Sequence, residues 1–313
     1  MSEQSSNSKK KIVITGASGF LGRHLVMKLA ETGAAGEAEV YALTSRPDGL
    51  KEEMKAVTGS ERVEYLDRDA IDGKDAGRIL PGAVVIACAY PRGSKGEDIA
   101  DGLRYVRRTF ESAVSNEAAA IINISSQSVY SQKREVAATE NTPVCPESIY
   151  AVGKYAVELL LESICRGSDT SYTNIRMASL IGSDFDQRIV NRFVKTALET
   201  GKLTVNRSSR KFGFFDIEDA VNGILKMPGS DTRRWKPVYN LAGYGAYTLE
   251  EIAGIVKETV EKEKDTTVEL DIRSSDETGS SETDPSLFCN DFSFVPECSL
   301  QTSVSRIAEV LYA

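Results

Sequence analysis

Short apolar stretches rich in β-branched residues alternate with longer amphipathic segments over residues 11–176. The stretches that predict strands cover residues 12–15, 40–43, 63–66, 83–86, 121–124 and 172–175. Segments with apolar residues at helical spacing predict helices at residues 20–32, 98–116 and 149–165. Because the strands are apolar almost throughout, helices should cover both faces of the sheet. The pattern therefore predicts an α/β fold built on a doubly wound parallel sheet.

The pattern changes after about Gly182. Helical periodicity at residues 188–200, 218–226, 249–260 and 300–311 alternates with short strands, and residues 273–284 are rich in Ser, Thr, Asp and Glu. Such a polar stretch is typical of a mobile loop. We therefore expect a disordered tail at residues 1–10, a doubly wound domain at residues 11–182 and a smaller α/β lobe at residues 183–313. Returning segments of this lobe are expected to join the sheet of the first domain.

Composition removes several classes of function. The 313 residues carry 38 basic and 46 acidic side chains, a net charge of −8, which disfavours nucleic acid and anionic lipid as partners. The longest apolar runs fall far short of the roughly 20 residues that span a bilayer. A polar N-terminus indicates a cytoplasmic protein. The five cysteines form no C-x-x-C pair, and with one histidine they predict reduced, structural thiols and no metal site.

A glycine-rich turn directly follows the first predicted strand and opens the first predicted helix. Its glycines have the spacing G-x-x-G-x-x-G. Glycine permits a sharp turn and a close backbone approach to a pyrophosphate, while the first amides of the helix face the negative charge. This context predicts a dinucleotide phosphate site formed by Gly16, Ser18, Gly19, Phe20, Leu21 and Gly22.

The end of the second predicted strand bears on the choice of dinucleotide. Residues 43–48 read L-T-S-R-P-D, with no acid at the strand tip. Hydroxyls and the Arg46 guanidinium suit a 2′-phosphate and favour NADP(H); the alternative is an exposed Arg46 with Asp48 reaching the ribose. Asp67, at the end of the third strand, is placed to meet the adenine amino group, or else serves as an acidic turn residue.

A tyrosine and a lysine four residues apart begin the helix predicted at residues 149–165. The spacing puts Tyr150 and Lys154 on one helix face. An ammonium close to a phenol lowers the phenol pKa from about 10 and makes it a usable acid/base. Upstream, the strand at residues 121–124 runs into several serines, and Ser126 can donate a hydrogen bond to a carbonyl or alkoxide oxygen.

Taken together, these motifs make the chain similar to the extended short-chain dehydrogenases/reductases, a group of NAD(P)-dependent nucleotide-sugar epimerases, dehydratases and ketoreductases. The similarity rests on T-G-A-S-G-F-L-G at residues 15–22, S-S-Q-S-V-Y at residues 125–130 and Y-x-x-x-K at residues 150–154, and extends over nearly the whole chain. It implies a Rossmann-type fold. It also implies that Tyr150 is the catalytic acid/base, that Lys154 orients the nicotinamide ribose and tunes Tyr150, and that Ser126 is the carbonyl donor.

The resemblance further implies where cofactor and substrate bind. Tyr150 and Lys154 would both touch the cofactor, and the residues lying under it after the fourth strand would be Ala87, Cys88 and Ala89. The C-terminal lobe would hold a nucleotide-diphosphate sugar, with candidate contacts from Ser128, Ser179 and Arg210, although a basic surface loop explains Arg210 equally well. Residues 90–96 are interpreted as a substrate-facing loop. A homodimer would form through the helices at residues 98–116 and 149–165.

One departure from the family pattern bears directly on the reaction. In the dehydratase branch an acidic pair follows the active hydroxyl, whereas here Gln127 and Ser128 follow Ser126, which disfavours a 4,6-dehydratase. The leading hypothesis is a nucleotide-sugar epimerase that acts through a transient keto-sugar. The alternatives are an NADPH-dependent ketoreductase, favoured by the missing acid at the second strand tip, and a dinucleotide-binding regulatory protein without turnover.

Overall fold

The computed structural model describes residues 9–91, 96–185 and 188–312. Its strands are β1 (Lys10–Thr15), β2 (Ala38–Thr44), β3 (Val63–Asp67), β4 (Val84–Ala87), β5 (Ala120–Ser126), β6 (Ser171–Met177), β7 (Ser179–Ile181), β8 (Lys202–Arg207), β9 (Phe214–Asp216), β10 (Val238–Leu241) and β11 (Glu269–Ser274). Its α-helices are α1 (Phe20–Glu31), α2 (Ala34–Glu37), α3 (Pro47–Glu53), α4 (Ala76–Ile79), α5 (Gly96–Ser115), α6 (Ile149–Cys165), α7 (Ile189–Thr200), α8 (Ile217–Lys226), α9 (Leu249–Lys264), α10 (Ser286–Phe292) and α11 (Leu300–Tyr312). Residues 1–8 of the expected tail and residues 92–95 of the expected substrate-facing loop lie outside the described residues.

A seven-stranded sheet has the order β10-β6-β5-β4-β1-β2-β3. Strand β1 pairs in parallel with β2 and β4, so Thr15 at its end stands level with Leu43 and with Ala87. Parallel pairing also joins β2 to β3 and β4 to β5. This sheet confirms the predicted doubly wound α/β class. Because β1 lies between β2 and β4, the strand order reverses beside β1, which is where such sheets place ligands.

The described chain forms two compact units that interleave in sequence. The first comprises the described residues up to Ile124, with Ala156–Asn174 and Met227–Pro237. The second comprises Ser125–Tyr155, the described residues of Ile175–Lys226 and those from Val238 onward. The boundary predicted after Gly182 stays a prediction, because the chain crosses between these two units several times. Among the described residues, no helix is both long and apolar enough to cross a membrane.

The core of the first unit packs strand side chains against two long helices. Val13, Val85 and Ile121 from the strands share one apolar cluster with Phe110 of α5 and Leu161 of α6, and each of the five is almost completely buried. Burying such side chains contributes roughly 1.5–3 kcal/mol each. The apolar spacing that predicted these helices therefore reports the face that packs on the sheet.

The second unit has its own helical core. Val194 of α7, Val256 of α9 and Val304 of α11 are fully buried in one cluster with Leu203 of β8. Helix α9 begins with a capping box, in which the Thr248 hydroxyl and the Glu251 carboxylate each accept a backbone N–H of the other residue. Two small parallel pairs, β8 with β11 and β7 with β9, complete this unit.

The segment at residues 273–284, which was predicted to be a mobile loop, contacts its neighbours at several residues; its mobility stays a prediction. Its first residues belong to β11, and Ser280 and Thr283 form bridges to Lys211 and Ala138. The Ser281 hydroxyl accepts the backbone N–H of Gly213 at 2.9 Å. Short polar side chains are common in loops, but here they satisfy backbone donors of the second unit and become buried.

A buried polar network ties together distant parts of the second unit. The Tyr130 hydroxyl donates to Asn240 Oδ1 at 2.8 Å and accepts from Arg176 Nη1 at 3.0 Å. The backbone N–H of Asn240 donates to Glu140 Oε1 at 2.7 Å. Burial raises the pKa of Glu140 above its ordinary value, and the Asn240 hydrogen bond offsets this only in part. The charged form of Glu140 therefore costs stability at neutral pH.

Replacing Glu140 with Gln should relieve this cost in a pH-dependent way. A carboxyl whose pKa is raised on folding contributes stability that is fully present below the unfolded pKa and is lost as pH rises through the folded pKa. We expect Glu140→Gln to increase the free energy of unfolding, relative to the parent, more at about pH 7 than at about pH 4. Urea unfolding measures this, with the exposed Glu135→Gln as control. An equal difference at both pH values would contradict the assignment.

Candidate functional site

The glycine turn of the first unit is close-packed. Gly16 has φ of +66°, and a Cβ there would lie 2.7 Å from the backbone nitrogen of Ala89. A Cβ at Gly22 would lie 2.3 Å from the carbonyl oxygen of Gly16. The N–H of Gly19 donates to that same oxygen at 2.9 Å. Only glycine therefore lets the start of α1 fold back onto the end of β1.

The first turn of α1 fits the pyrophosphate of a dinucleotide. Its N-cap is Gly19, which supplies no side-chain hydrogen bond, and the turn contains no acidic residue. The first N–H groups of a helix have no intrahelical acceptor, and the helix dipole places positive potential at that end. The amides of Phe20, Leu21 and Gly22 lie at this positive end of the helix, where an anion is favoured.

The other cofactor residues predicted for this unit lie at the same edge of the sheet. Ala87 stands opposite Thr15, the N–H of Cys88 donates to the Thr15 carbonyl at 3.2 Å, and the backbone of Ala89 packs on Gly16. The Thr44 hydroxyl donates to Ser18 Oγ at 2.7 Å, which joins the end of β2 to the glycine turn. Cofactor contact by these residues stays a prediction.

At the end of β2 the guanidinium of Arg46 is engaged by a carboxylate. Its Nη1 lies 2.5 Å from Glu53 Oε1 and its Nη2 lies 3.4 Å from Glu53 Oε2. Asp67 accepts the backbone N–H of Asp69 at 2.9 Å and so caps a short 3₁₀ turn. The sequence analysis had given this role, an acidic residue in a turn, as the alternative to a contact between Asp67 and adenine. Contact of Asp67 with adenine remains untested.

In the second unit, Tyr150 and Lys154 share the first turns of α6. Lys154 Nζ lies 5.9 Å from the centre of the Tyr150 ring. Lys154 is only 6% exposed, whereas Tyr150 is 46% exposed. The chain thus withdraws the ammonium from water, whereas part of the Tyr150 ring remains in contact with solvent.

The pKa of Tyr150 differs in direction from the sequence-based expectation. Burial of the residue raises its pKa above the ordinary value of 10.0, while a hydrogen bond with Ser126 and the charge of Arg188 lower it. The net direction is upward. Tyr150 is therefore a neutral phenol at physiological pH and can give a proton. Arg188, at the start of α7, was missed because its proximity depends on the fold.

Ser126 is arranged to act as a hydrogen-bond donor. Its Oγ accepts the backbone N–H of Ser128 at 3.2 Å and the Ser128 hydroxyl at 2.9 Å. A hydroxyl offers two acceptor lone pairs and one donated hydrogen. Because Ser128 occupies both acceptor positions, the hydrogen of Ser126 is directed to its remaining partner, Tyr150. Ser128 thereby orients Ser126.

The remaining substrate candidates of this unit have less distinctive surroundings. Ser179 is half-buried at the start of β7, opposite Phe214 of β9. Arg210 lies 3.8 Å from Glu277, and its guanidinium stands 5.5 Å from the centre of the Phe212 ring. These contacts fit the surface-loop interpretation of Arg210, and neither residue is tested as a substrate ligand.

One group of metal-capable side chains is close together in the second unit. The ligand atoms of Asp216, Glu218 and Cys298 lie within 4.8 Å of one another. Arg306 Nη1, however, lies 3.6 Å from Asp216 Oδ1 and 2.9 Å from Glu218 Oε2. The guanidinium of Arg306 in α11 therefore forms ion pairs with Asp216 at the end of β9 and with Glu218 in α8.

Comparison with known proteins shows the family. Residues 12–242 match the NAD dependent epimerase/dehydratase family. The chain belongs to this family. UDP-glucuronic acid decarboxylase 1 of Arabidopsis thaliana is 25% identical over 95% of this chain and 68% of its own length. The dTDP-glucose 4,6-dehydratase of Streptomyces griseus is 23% identical over 79% of this chain and 77% of its own length.

Solved structures of this family share the fold. UDP-glucuronic acid 4-epimerase from Bacillus cereus, in complex with UDP-glucuronic acid and NAD, superposes with a TM-score of 0.79 at 21% identity, over 96% of this chain and 99% of the other. UDP-N-acetylglucosamine 4-epimerase from Bacillus cereus gives 0.78 at 22% identity, over 97% and 100%. The chain is thus a member of an enzyme family with extended short-chain dehydrogenase/reductase architecture, as its motifs indicated.

Gly22→Ala should damage the glycine turn, because the new Cβ would clash with a backbone carbonyl. We expect a loss of about 1–3 kcal/mol in the free energy of unfolding, together with weaker NAD binding, measured by urea unfolding and calorimetric titration. Gly254→Ala is the control: it lies in α9 with open space around its Cβ, and the change should stabilise by about 0.5–1 kcal/mol. Equal stability and NAD affinity in Gly22→Ala and the parent would refute the packing argument.

Ser128→Ala should weaken the donation from Ser126 to Tyr150 and so raise the pKa of Tyr150 further. The reference is Ser126→Ala, which removes the donor completely and should give the larger shift. Ser128→Thr keeps a hydroxyl and should restore the parent value. Titration of ¹³Cζ-labelled tyrosine by NMR, with Tyr150→Phe to assign the signal, measures these shifts. A pKa that moves in Ser126→Ala but not in Ser128→Ala would show that Ser128 has no orienting role.

Proposed function

We propose that this chain is an NAD(P)-dependent nucleotide-sugar epimerase that acts through a transient keto-sugar. The observation that carries the proposal is the group formed by Ser126, Tyr150 and Lys154, in which an oriented hydroxyl donates to an accessible phenol beside a buried ammonium. This group suits reversible proton transfer at an alcohol or ketone oxygen. It contains no carboxylate, and that argues against water elimination.

Each side chain has a separate task in the proposed reaction. Tyr150 exchanges a proton with the sugar oxygen. Ser126 would turn its single hydrogen from Tyr150 to the same sugar oxygen as negative charge develops on it. Lys154 orients the ribose of the cofactor and offsets the charge of the phenolate that forms during proton transfer. When bound, the nicotinamide supplies a reversible hydride acceptor. The glycine turn would hold the pyrophosphate of the bound NAD(P), and Arg46 at the end of β2 would lie at its adenosine ribose.

The proposed substrate is a sugar joined to a nucleoside diphosphate. The relatives whose names refer to UDP-glucuronic acid, dTDP-glucose and UDP-N-acetylglucosamine support this class. Ser128, Ser179 and Arg210 are proposed as its contacts in the second unit. Arg210 would exchange its interaction with Glu277 for a phosphate, a trade that costs little because exposed ion pairs contribute at most about 1 kcal/mol.

A second candidate is an NADPH-dependent ketoreductase of a keto-sugar. Two observations favour it: the end of β2 presents Arg46 and no strand-tip carboxylate, and Tyr150 is a neutral phenol that can protonate a developing alkoxide. An epimerase would interconvert sugars without added dinucleotide, whereas a ketoreductase would consume one NADPH per product.

A homodimer is proposed as the assembled state. Helix α6 carries exposed apolar side chains on one stripe, with Ile149 66%, Val152 53% and Leu159 49% exposed. Their spacing of three and seven residues keeps them on one side of the helix. An exposed apolar stripe of this kind is typical of a surface that is covered by a partner helix.

Tyr150→Phe tests the proposed function. We expect it to retain NAD binding but to reduce turnover of UDP-glucuronic acid or UDP-N-acetylglucosamine by roughly 10²–10⁴-fold, since the proton-transfer group is removed. Sugar nucleotides are separated by chromatography, and NADPH consumption is followed by absorbance. Tyr172→Phe is the matched control, because it removes a hydroxyl at the amino end of β6. Unchanged turnover in Tyr150→Phe would refute the catalytic assignment.

A further inference from the structure

We infer that Glu53 is a specificity-determining residue for the dinucleotide: by holding Arg46 it weakens the binding of a cofactor that carries a 2′-phosphate. The inference rests on the proposed function, since it assumes that the first unit binds a pyridine dinucleotide. It adds that Glu53, at the C-terminal end of α3, provides a carboxylate near the tip of β2, where the strand itself has none.

The geometry of Arg46 shows how it reaches Glu53. Arg46 precedes α3, whose first residue is Pro47, and Glu53 is the last residue of that helix. The Arg46 side chain lies along the helix against Gly49, where an added Cβ would stand 3.5 Å from Nη1. Both guanidinium nitrogens then meet the two carboxylate oxygens of Glu53, at 2.5 Å and 3.4 Å.

Glu53 is held in its charged form. The hydrogen bond from Arg46 is the main cause that lowers the pKa of Glu53, and the charges of Arg46 and Arg23 lower it further. At neutral pH the carboxylate is therefore ionised beside the guanidinium. Its negative charge remains when a ligand arrives, whichever way the Arg46 side chain turns.

A 2′-phosphate meets two obstacles at this place. To bind Arg46 bidentately it must either displace Glu53 from the Nη1 and Nη2 atoms or use the adjacent edge that includes Nε, and in both cases it lies close to that carboxylate. The first obstacle is small, because the side chains of Arg46 and Glu53 are 49% and 39% exposed and such pairs are weak. The second is repulsion between like charges, which a cofactor with a free 2′-hydroxyl does not experience. Removing the charge of Glu53 should therefore favour NADP⁺ selectively.

The neighbouring residue gives a matched control. Glu52 lies one position earlier on the same helix and pairs with Lys55 at 2.5 Å, away from Arg46. Glu52→Gln changes the net charge of the chain and of α3 by the same amount as Glu53→Gln. Any difference between the two variants therefore reports the pairing with Arg46 rather than general electrostatics.

Calorimetric titration of the full chain with NAD⁺ and with NADP⁺ tests the inference without an activity assay. We expect Glu53→Gln to lower the Kd for NADP⁺ by about tenfold, or about 1.4 kcal/mol, and to change the Kd for NAD⁺ by less than about twofold. Glu52→Gln should leave both values unchanged. The double variant Arg46→Met with Glu53→Gln should lose the gain in NADP⁺ affinity, since the cation that receives the phosphate is gone.

The other outcomes overturn distinct claims. If all variants bind NAD⁺ normally but Glu53→Gln and Glu52→Gln have the same NADP⁺ affinity, Glu53 does not set the preference and the proposed function stands. If the double variant keeps the gain, Arg46 is not the residue that Glu53 restrains, and the inference fails. If no variant binds either dinucleotide, the inference and the proposed function fail together.

Discussion

The first unit depends on the contact between two segments of backbone at the glycine turn. Only a residue without a Cβ lets position 22 approach the carbonyl of Gly16, and only a residue that tolerates positive φ suits Gly16 against Ala89. This contact fixes the start of α1 over the end of β1, so the uncapped amides face the edge where β1, β2 and β4 end together. The parallel register supplies the alignment, and the glycines supply the close approach.

In the second unit the chemistry depends on the direction of hydrogen bonds more than on the kinds of residue. The backbone N–H and the hydroxyl of Ser128 both donate to Ser126 Oγ, so the Ser126 hydroxyl can act only as a hydrogen-bond donor toward other groups. Tyr150 is an ordinary phenol whose pKa is set by partial burial, opposed by Ser126 and Arg188. A cationic neighbour was expected to dominate the pKa of Tyr150, but burial has the larger effect. Environment therefore decides the protonation state from which the reaction starts.

The environment also decides how the charge of Arg46 acts at the end of β2. An arginine in this position has the character of a phosphate ligand when it is considered by sequence alone, because guanidinium and phosphate match in shape and charge. In the fold the same side chain lies along α3 and is neutralised by Glu53, seven residues later. Helix α3, about two turns long, brings Glu53 into contact with Arg46 at the tip of β2. A sequence rule that considers only the residues at the strand tip would not include Glu53.

The sequence by itself determined the features that arise from local periodicity and local sterics: the parallel strands, α1, α6 with Tyr150 and Lys154 on one face, and the glycine turn. Only the tertiary structure decided which distant segments meet. It paired β11 with β8, joined residues 273–284 to other segments through backbone hydrogen bonds, and brought Arg188 near Tyr150. The physical reason is that periodicity records which face of an element is buried, whereas hydrogen bonds and charges act across space on whichever partner the fold supplies.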